Sequence, residues 1–242
     1  VAELIVFDLD GTLVDHRGAA LTAIGELVRP YTGAALPAHD LVRRWWTLER
    51  RHMEEYLAGR CSFDEQRRRR LRSFLPLLGE PVPDGPALDE WFADRYLPAY
   101  EAAWRLYPDV VPCLDDLRAL PAAPRRAVLT NGDRRQQRAK LARFGLLDSF
   151  DAVLTSAELG VAKPDPACFT TACRRFGVRP HDAVYVGDWL EGDAIAAARA
   201  GLTGIWLDRG VHPITGEPTS PADLSDPAVT RIDDLTRLTG SL

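Results

Sequence analysis

The chain opens on an unbroken apolar run, Leu4-Ile5-Val6-Phe7, which gives way at once to Asp8-Leu9-Asp10-Gly11-Thr12. A strand covered on both faces of a parallel sheet reads as a continuous apolar run, whereas a half-exposed strand alternates. The pattern therefore predicts a buried first strand ending in two carboxylates one residue apart. From about Pro108 onward, helical and strand spacings alternate. Val110, Leu114, Leu117 and Leu120 recur at helical intervals, while Arg126 to Thr130, Ala152 to Thr155, Ala183 to Gly187 and Gly204 to Leu207 are short runs of strand length. Asp133 is a candidate cap for a helix ending at Phe144, with Gln136 in the third position of a capping box. Asp165-Pro166 opens a second helix, proline being favoured at the first helical position. A third runs from about Glu191 to Ala200. All three end in glycine and an aliphatic residue, Gly145-Leu146, Gly177-Val178 and Gly201-Leu202, as a left-handed cap requires. After a Pro-, Ser- and Asp-rich tail following Gly210, Val229 to Ile232 reads as a last strand and Asp233 as the start of a short helix.

Alternating strand and helix imply a parallel sheet with helices on both faces. Between Asp15 and about Tyr107 the pattern is helical throughout: Ala19 to Val28, Asp40 to Leu57, Ser62 to Leu78 and Leu88 to Trp104. Ser62 and Glu65 read as a capping box, and Pro76 and Pro98 as breaks in the last two helices. The expected architecture is α/β. A Rossmann-like parallel sheet core with helices on both faces is formed by 1–15 and 108–242, and an all-helical domain over 16–107 is inserted after the first strand.

Composition narrows the function classes. The 242 residues are 46% hydrophobic and 27% charged with a net charge of -5, so no basic footprint for a nucleic acid polymer is present. The local exception, Arg67-Arg68-Arg69-Arg70, lies beside Asp64 and Glu65 and reads as a solvated helix face. The four cysteines form no CxxC pair and the five histidines no HxxxH pair, so neither a disulfide framework nor a zinc site is expected. Reduced thiols fit a cytoplasmic protein. No apolar stretch approaches the roughly 20 residues that span a bilayer, and the first strand begins too early for a signal peptide. The chain starts at Val1 rather than Met, so its start reads as trimmed, and a removed leader stays open. Among the basic residues only Lys140 and Lys163 are lysine.

Four segments carry candidate chemistry. In open parallel sheets ligands bind past the carboxyl ends of the strands, which is where Asp8 and Asp10 stand. Val128-Leu129-Thr130-Asn131-Gly132 ends a second strand in a hydroxyl and a turn whose N–H groups favour anions. Lys163-Pro164 places an ammonium just before a helix. Val186-Gly187-Asp188-Trp189-Leu190-Glu191-Gly192-Asp193 brings another carboxylate off a buried strand and a fourth into the next helix. Each alone also reads as an ordinary turn, a surface lysine or a helix cap. Together, if the strands of Asp8 and Asp188 are neighbours, at least three carboxylates crowd one rim. Two such charges at 4 Å repel by about 4 kcal/mol at an effective dielectric near 20. Oxygen-only ligands at an open site then point to a hard divalent cation, magnesium, which accepts substrate phosphate.

The ordered set Asp8-Leu9-Asp10-Gly11-Thr12, Thr130-Asn131-Gly132, Lys163-Pro164 and Gly187-Asp188-Trp189-Leu190-Glu191-Gly192-Asp193 resembles the haloacid dehalogenase-like (HAD) superfamily. The likeness is to its phosphatase branch with a helical cap after the first strand. The resemblance implies that Asp8 is the nucleophile and that Asp10 protonates the leaving oxygen and then activates water. It implies that Thr130, Asn131 and Lys163 bind the phosphoryl group. Mg2+ would be held by the Asp8 carboxylate, the Asp10 carbonyl and Asp188, with Asp193 one step behind. Where the family often has Asn before its last Asp, this chain has Gly192. The expected partner is a small phosphorylated molecule, with no membrane and a monomer or homodimer. Arg17, Trp45, Trp46, Arg60 and Arg67 to Arg70 are candidate cap contacts, Trp45-Trp46 reading chiefly as core on one side and partner-facing on the other rather than as direct substrate contacts. Rival readings are a phosphomutase, a haloacid dehalogenase, against which Asp10 argues, and a non-catalytic binding domain.

Overall fold

A computed structural model of the chain describes residues 2–213, 216–219 and 228–242. The chain divides into two compact units, Val1–Asp15 with Leu106–Leu242, and His16–Arg105. Strand β1 (Leu4–Phe7) is buried along its whole length, as its unbroken apolar run requires.

The second unit is helical. It contains α1 (His16–Val28), α2 (Ala38–Leu57), α3 (Phe63–Leu78), α4 (Gly85–Trp91), a wide π turn over Phe92–Tyr96 and α5 (Leu97–Ala102). Ser62 caps α3 by accepting from the Glu65 N–H at 3.1 Å. The expected return arm of that capping box goes elsewhere: the Glu65 carboxylate takes Arg72 at 2.7 Å and Arg69 at 3.4 Å. Two guanidinium groups outcompete one backbone N–H for a charged acceptor. Pro76 lies within the last turn of α3, which runs past it to Leu78 and closes on Gly79 at φ 78°. Ahead of Pro98 the ladder loosens, and the Leu97 N–H reaches back to the Phe92 carbonyl in a π turn. Proline has no N–H to keep the α spacing.

At the centre of this unit Trp45 is fully buried, with the rings of Phe74 at 4.9 Å and Tyr96 at 4.6 Å. The arginine run is not a solvated face. Arg70 is 3% exposed, pairs with the Glu49 carboxylate at 3.0 Å, donates to Gln66 at 3.0 Å, and lies 5.1 Å from the Trp45 ring. Arg68 pairs with Asp89 at 2.6 Å, Arg69 with Glu55 at 2.8 Å, and Arg67 covers the Phe63 ring at 4.5 Å. At 3.6 residues per turn, four consecutive side chains fan around nearly the whole helix, so one of them must face inward.

The remainder of the first unit follows the expected alternation. It comprises α6 (Val110–Ala119), β2 (Arg125–Thr130), α7 (Arg134–Arg143), β3 (Ala152–Thr155), α8 (Ser156–Leu159), α9 (Pro166–Phe176), β4 (Ala183–Gly187), a π turn over Leu190–Ile195, α10 (Ala196–Arg199), β5 (Thr203–Leu207), β6 (Val229–Ile232) and a closing 3-10 segment, Leu235–Ser241. Among the described residues six strands form one parallel sheet, in the order β3-β2-β1-β4-β5-β6. Side chains alternate across the sheet. Ile5, Phe7, Val128, Val186 and Ile205 pack with Leu114 and Leu117 of α6 and Leu141 of α7, while Leu4, Val6, Leu129 and Tyr185 pack with Phe169 and Cys173 of α9 and Ala197 of α10.

Gly145, Gly177 and Gly201 all adopt positive φ, as the three helix endings predicted. Helix α8 went unforeseen although Thr155 and Glu158 make a full capping box around it. The helix expected from Glu191 begins instead as the π turn at Leu190. Positions 214–215 and 220–227 of the tail lie outside the described residues.

The burial of Arg70 generates a test. Arg70→Met strips a buried cation from Glu49 and is expected to destabilise the protein by about 3 kcal/mol, whereas Arg72→Met, whose side chain is 44% exposed, stays within about 0.5 kcal/mol. Paired urea titrations of the two variants measure the difference.

Candidate active site

Because β1 is paired on one side with β2 and on the other with β4, the chain leaves the sheet in opposite directions from its centre. A crevice opens at the carboxyl ends of such strands. The Asp8 N–H donates to the Val186 carbonyl at 2.9 Å, so Asp8 is the first residue past the strand and is held at its tip. Its carboxylate, with the residue 6% exposed, accepts from Lys163 Nζ at 2.6 Å. The same ammonium donates to Asp193 at 2.7 Å and to the Tyr185 hydroxyl at 2.7 Å. Asp8, Asp188 and Asp193 each bring a carboxylate oxygen into a group spanning no more than 4.8 Å.

Asp188 is oriented from β1 as well as from its own strand. Thr12 Oγ1 accepts from the Asp188 N–H at 3.0 Å and stands 3.3 Å from its carboxylate. The turn that returns Thr12 to this position passes through Gly11 at φ 96°, and a Cβ there would overlap the Asp188 carboxylate. Gly192, the departure from the family pattern, has an equally local reason: a Cβ would strike the Trp189 ring.

Electrostatics follow from burial and crowding. Burial raises the Asp8 carboxyl, the charges of Asp193 and Asp10 add to the rise, and Lys163 opposes it, leaving the group at about 7. Asp188 is pushed well above the ordinary carboxylate range by burial and by Asp8 and Asp193. Burial alone would lower Lys163, but Asp193 and Asp8 outweigh it and hold the ammonium above its usual value. A site whose acids resist ionising together while its lysine stays charged lacks positive charge. Its donor set is all oxygen, the set a hard cation takes.

The other expected residues divide. The Asp10 carboxylate faces α7, accepting from Lys140 Nζ at 2.5 Å and Gln137 Nε2 at 2.7 Å. Thr130 Oγ1 accepts from the Gly132 N–H at 3.1 Å and from Gln137 Nε2 at 2.8 Å. A hydroxyl has two lone pairs and one proton, so what remains for a ligand is the Thr130 O–H. The Asn131 side chain is a splint: its amide donates to the Lys163 carbonyl at 3.0 Å and accepts from the Lys163 N–H at 3.0 Å. It joins the turn after β2 to the loop that presents Lys163.

Tyr185, Gln137, Lys140 and Thr12 were not among the expected site residues. Tyr185 is hidden in an apolar strand run, where the sequence reads it as core. Gln137 carries no signal beyond lying one turn past the Asp133 cap. Lys140 did leave a trace, as one of two lysines.

A family model described as haloacid dehalogenase-like hydrolase matches residues 2–201. The chain belongs to the haloacid dehalogenase-like hydrolases. Among relatives of this family, a ribulose-1,5-bisphosphate 5-phosphatase from Halopiger xanaduensis is 31% identical over 99% of this chain and 98% of its own. A glyceraldehyde 3-phosphate phosphatase from Methanopyrus kandleri is 40% identical over 53% of this chain and 54% of its own, and a phosphoserine phosphatase from Thermus thermophilus is 41% identical over 49% and 46%. The chain thus matches about half the length of those two. Among solved structures, the HAD-hydrolase YfnB of Bacillus subtilis, bound to magnesium, superposes with a TM-score of 0.78 at 22% identity, covering 100% of this chain and 98% of that one. A 2-haloacid dehalogenase from Pseudomonas syringae gives 0.65 at 29% identity, covering 99% and 97%.

Gly11 tests how tightly this haloacid dehalogenase-like site is built. Alanine at a left-handed position costs roughly 1–2 kcal/mol of backbone strain, which is the full expectation for Gly145→Ala, where nothing lies within 4 Å of a new Cβ. Gly11→Ala adds the clash with Asp188 and is expected to lose measurably more. Thermal unfolding of both variants side by side reads the difference.

Proposed function

We propose that the protein is a Mg2+-dependent phosphatase that hydrolyses a small phosphomonoester through an aspartyl-phosphate on Asp8. The observation that carries this reading is the Asp8 carboxylate standing at the strand tip within 2.6 Å of the Lys163 ammonium and grouped with Asp188 and Asp193. Once a cation offsets the crowded acids, the Asp8 oxygen can attack phosphorus as an anion, with the Lys163 ammonium beside the phosphoryl oxygens. A covalent intermediate of this kind splits one hard hydrolysis into two easier steps.

In the first step an Asp8 oxygen bonds to phosphorus, the ester P–O bond breaks, and Asp10 gives its proton to the departing alcohol. In the second, Asp10 takes a proton from water, the water oxygen bonds to phosphorus, and the acyl phosphate bond breaks to restore Asp8 and release inorganic phosphate. Lys163, turning the N–H it gives Asp8 toward a phosphoryl oxygen, and the Thr130 O–H hold the phosphoryl group through both steps. Asn131 keeps the Lys163 loop in register, and Asp193 and Tyr185 hold the ammonium itself. The crowded oxygen donors fit Mg2+, with the Asp8 carboxylate, the Asp10 carbonyl and Asp188 as its ligands. When bound, the ion supplies charge that offsets the carboxylates and the phosphoryl oxygens. Substrate selection is assigned to the helical unit as a cap, with Arg17, Trp46 and Arg60 as candidate contacts, and a cytoplasmic location fits the four free cysteines.

Relatives named as phosphatases support phosphoester chemistry over dehalogenation, and Asp10 does so chemically, since halide departure needs no proton donor. With p-nitrophenyl phosphate, turnover is expected to require Mg2+, to stop with EDTA, and to fall more than about 1,000-fold in Asp8→Asn. Turnover that survives chelation or the Asp8 substitution, or halide release from a 2-haloacid without phosphatase activity, reverses the assignment.

A further inference from the structure

Of the 30 basic side chains in this sequence only Lys140 and Lys163 are lysine, and both are buried at the same site, 0% and 4% exposed. Lys163 has its role at Asp8. Lys140 comes from α7, which carries Arg134, Arg135, Arg138 and Arg143 on its other positions. Its Nζ stands 2.5 Å from Asp10 Oδ1. Gln137, one turn earlier and equally buried, takes the second Asp10 oxygen at 2.7 Å. The same Gln137 nitrogen donates to Thr130 Oγ1 at 2.8 Å. Residues three apart on a helix share a face, so α7 presents an amide and an ammonium side by side, and they match the two oxygens of one carboxylate.

Two further observations point the same way. Gln137 Oε1 is buried with no hydrogen-bond partner among the described residues. A buried acceptor left unsatisfied is unfavourable, and here it accompanies a nitrogen aimed at both Asp10 and Thr130. A Cβ at Gly132 would overlap the Gln137 amide, so the glycine of Thr-Asn-Gly is what admits Gln137 to this position.

We propose that Gln137 and Lys140 are positioning residues that hold the Asp10 carboxyl in the orientation from which it transfers a proton to the leaving oxygen, and that Gln137 ties that orientation to the phosphate-binding Thr130. This rests on the reading of Asp10 as the general acid. Proton donation matters most when the leaving alcohol is a poor one. The readout is therefore the ratio of kcat/KM for an alkyl phosphate to that for 2,4-dinitrophenyl phosphate, both taken on one preparation. The folded fraction cancels in that ratio, so a merely structural role leaves it unmoved.

Lys140→Met and Gln137→Met are each expected to lower the ratio by about 10-fold or more, within the 100- to 10,000-fold range of a complete general acid, and Lys140→Arg is expected to recover part of it. Asp10→Asn is the control and should lower the ratio further than either. If Asp10→Asn lowers it while whichever of the two methionine variants folds leaves it at the wild-type value, the positioning role is wrong and the phosphatase reading stands. If Asp10→Asn itself leaves the ratio unchanged, the general-acid reading fails and this inference with it.

Discussion

The balance of charge around Asp8 constrains everything else at the site. Three carboxylates share a space no wider than 4.8 Å, and Lys163 touches two of them. A cluster of this kind is unfavourable in a buried setting unless every lone pair and proton has a partner. The surroundings supply those partners from different parts of the chain: Thr12 for Asp188, Tyr185 for Lys163, and the Trp189 N–H for Asp193 at 3.3 Å. Asp8 and Asp188 each directly follow a strand, Tyr185 lies within β4 and Lys163 comes from the loop between α8 and α9, and the strand order makes the tips of β1 and β4 neighbours. The parallel sheet is thus the device that brings residues 8, 163, 188 and 193 to one place, and its two apolar clusters hold the tips in register.

Close approach matters as much as charge. At Gly11 the missing side chain leaves room for the Asp188 carboxylate, at Gly132 for the Gln137 amide, at Gly187 for the Asp193 carboxylate and at Gly192 for the Trp189 ring. Four glycines of the recognisable motifs are therefore spaces into which a functional or supporting side chain fits. Only Gly11 among them also needs its positive φ. Most of these glycines are fixed by what stands opposite them rather than by the turn they occupy.

That distinction explains how far the sequence could be read. Strands β1, β2, β3 and β4 were legible because apolar runs, caps and breaks are local signals, and the terminal glycines announced the helix ends. Asp8 and Asp188 were legible because each directly follows such a run. Tyr185 was not, since a tyrosine in an apolar strand gives no sign that its hydroxyl has found an ammonium. Gln137 was illegible for the same reason, its partners lying 127 and 7 residues away in the chain. Arg70 failed in the opposite sense: a run of like charges suggests solvent, but helical geometry turned one of its members inward onto Glu49.

The two acids of the first motif show how a short loop separates functions. In a continuing strand, residues two apart would project from the same face, and Asp8 and Asp10 would compete for one cation. The strand stops at Phe7. The N–H groups of Leu13 and Val14 both fold back to the Leu9 carbonyl at 2.9 Å, and Gly11 turns the chain between them. Asp8 is left pointing to Lys163 and the acidic cluster, while Asp10 is turned toward α7 and Lys140. Each carboxylate meets its own ammonium, so the two differ in surroundings although a single residue lies between them. Two identical side chains can then take different parts in one reaction, because the backbone turn puts them in different electrostatic company.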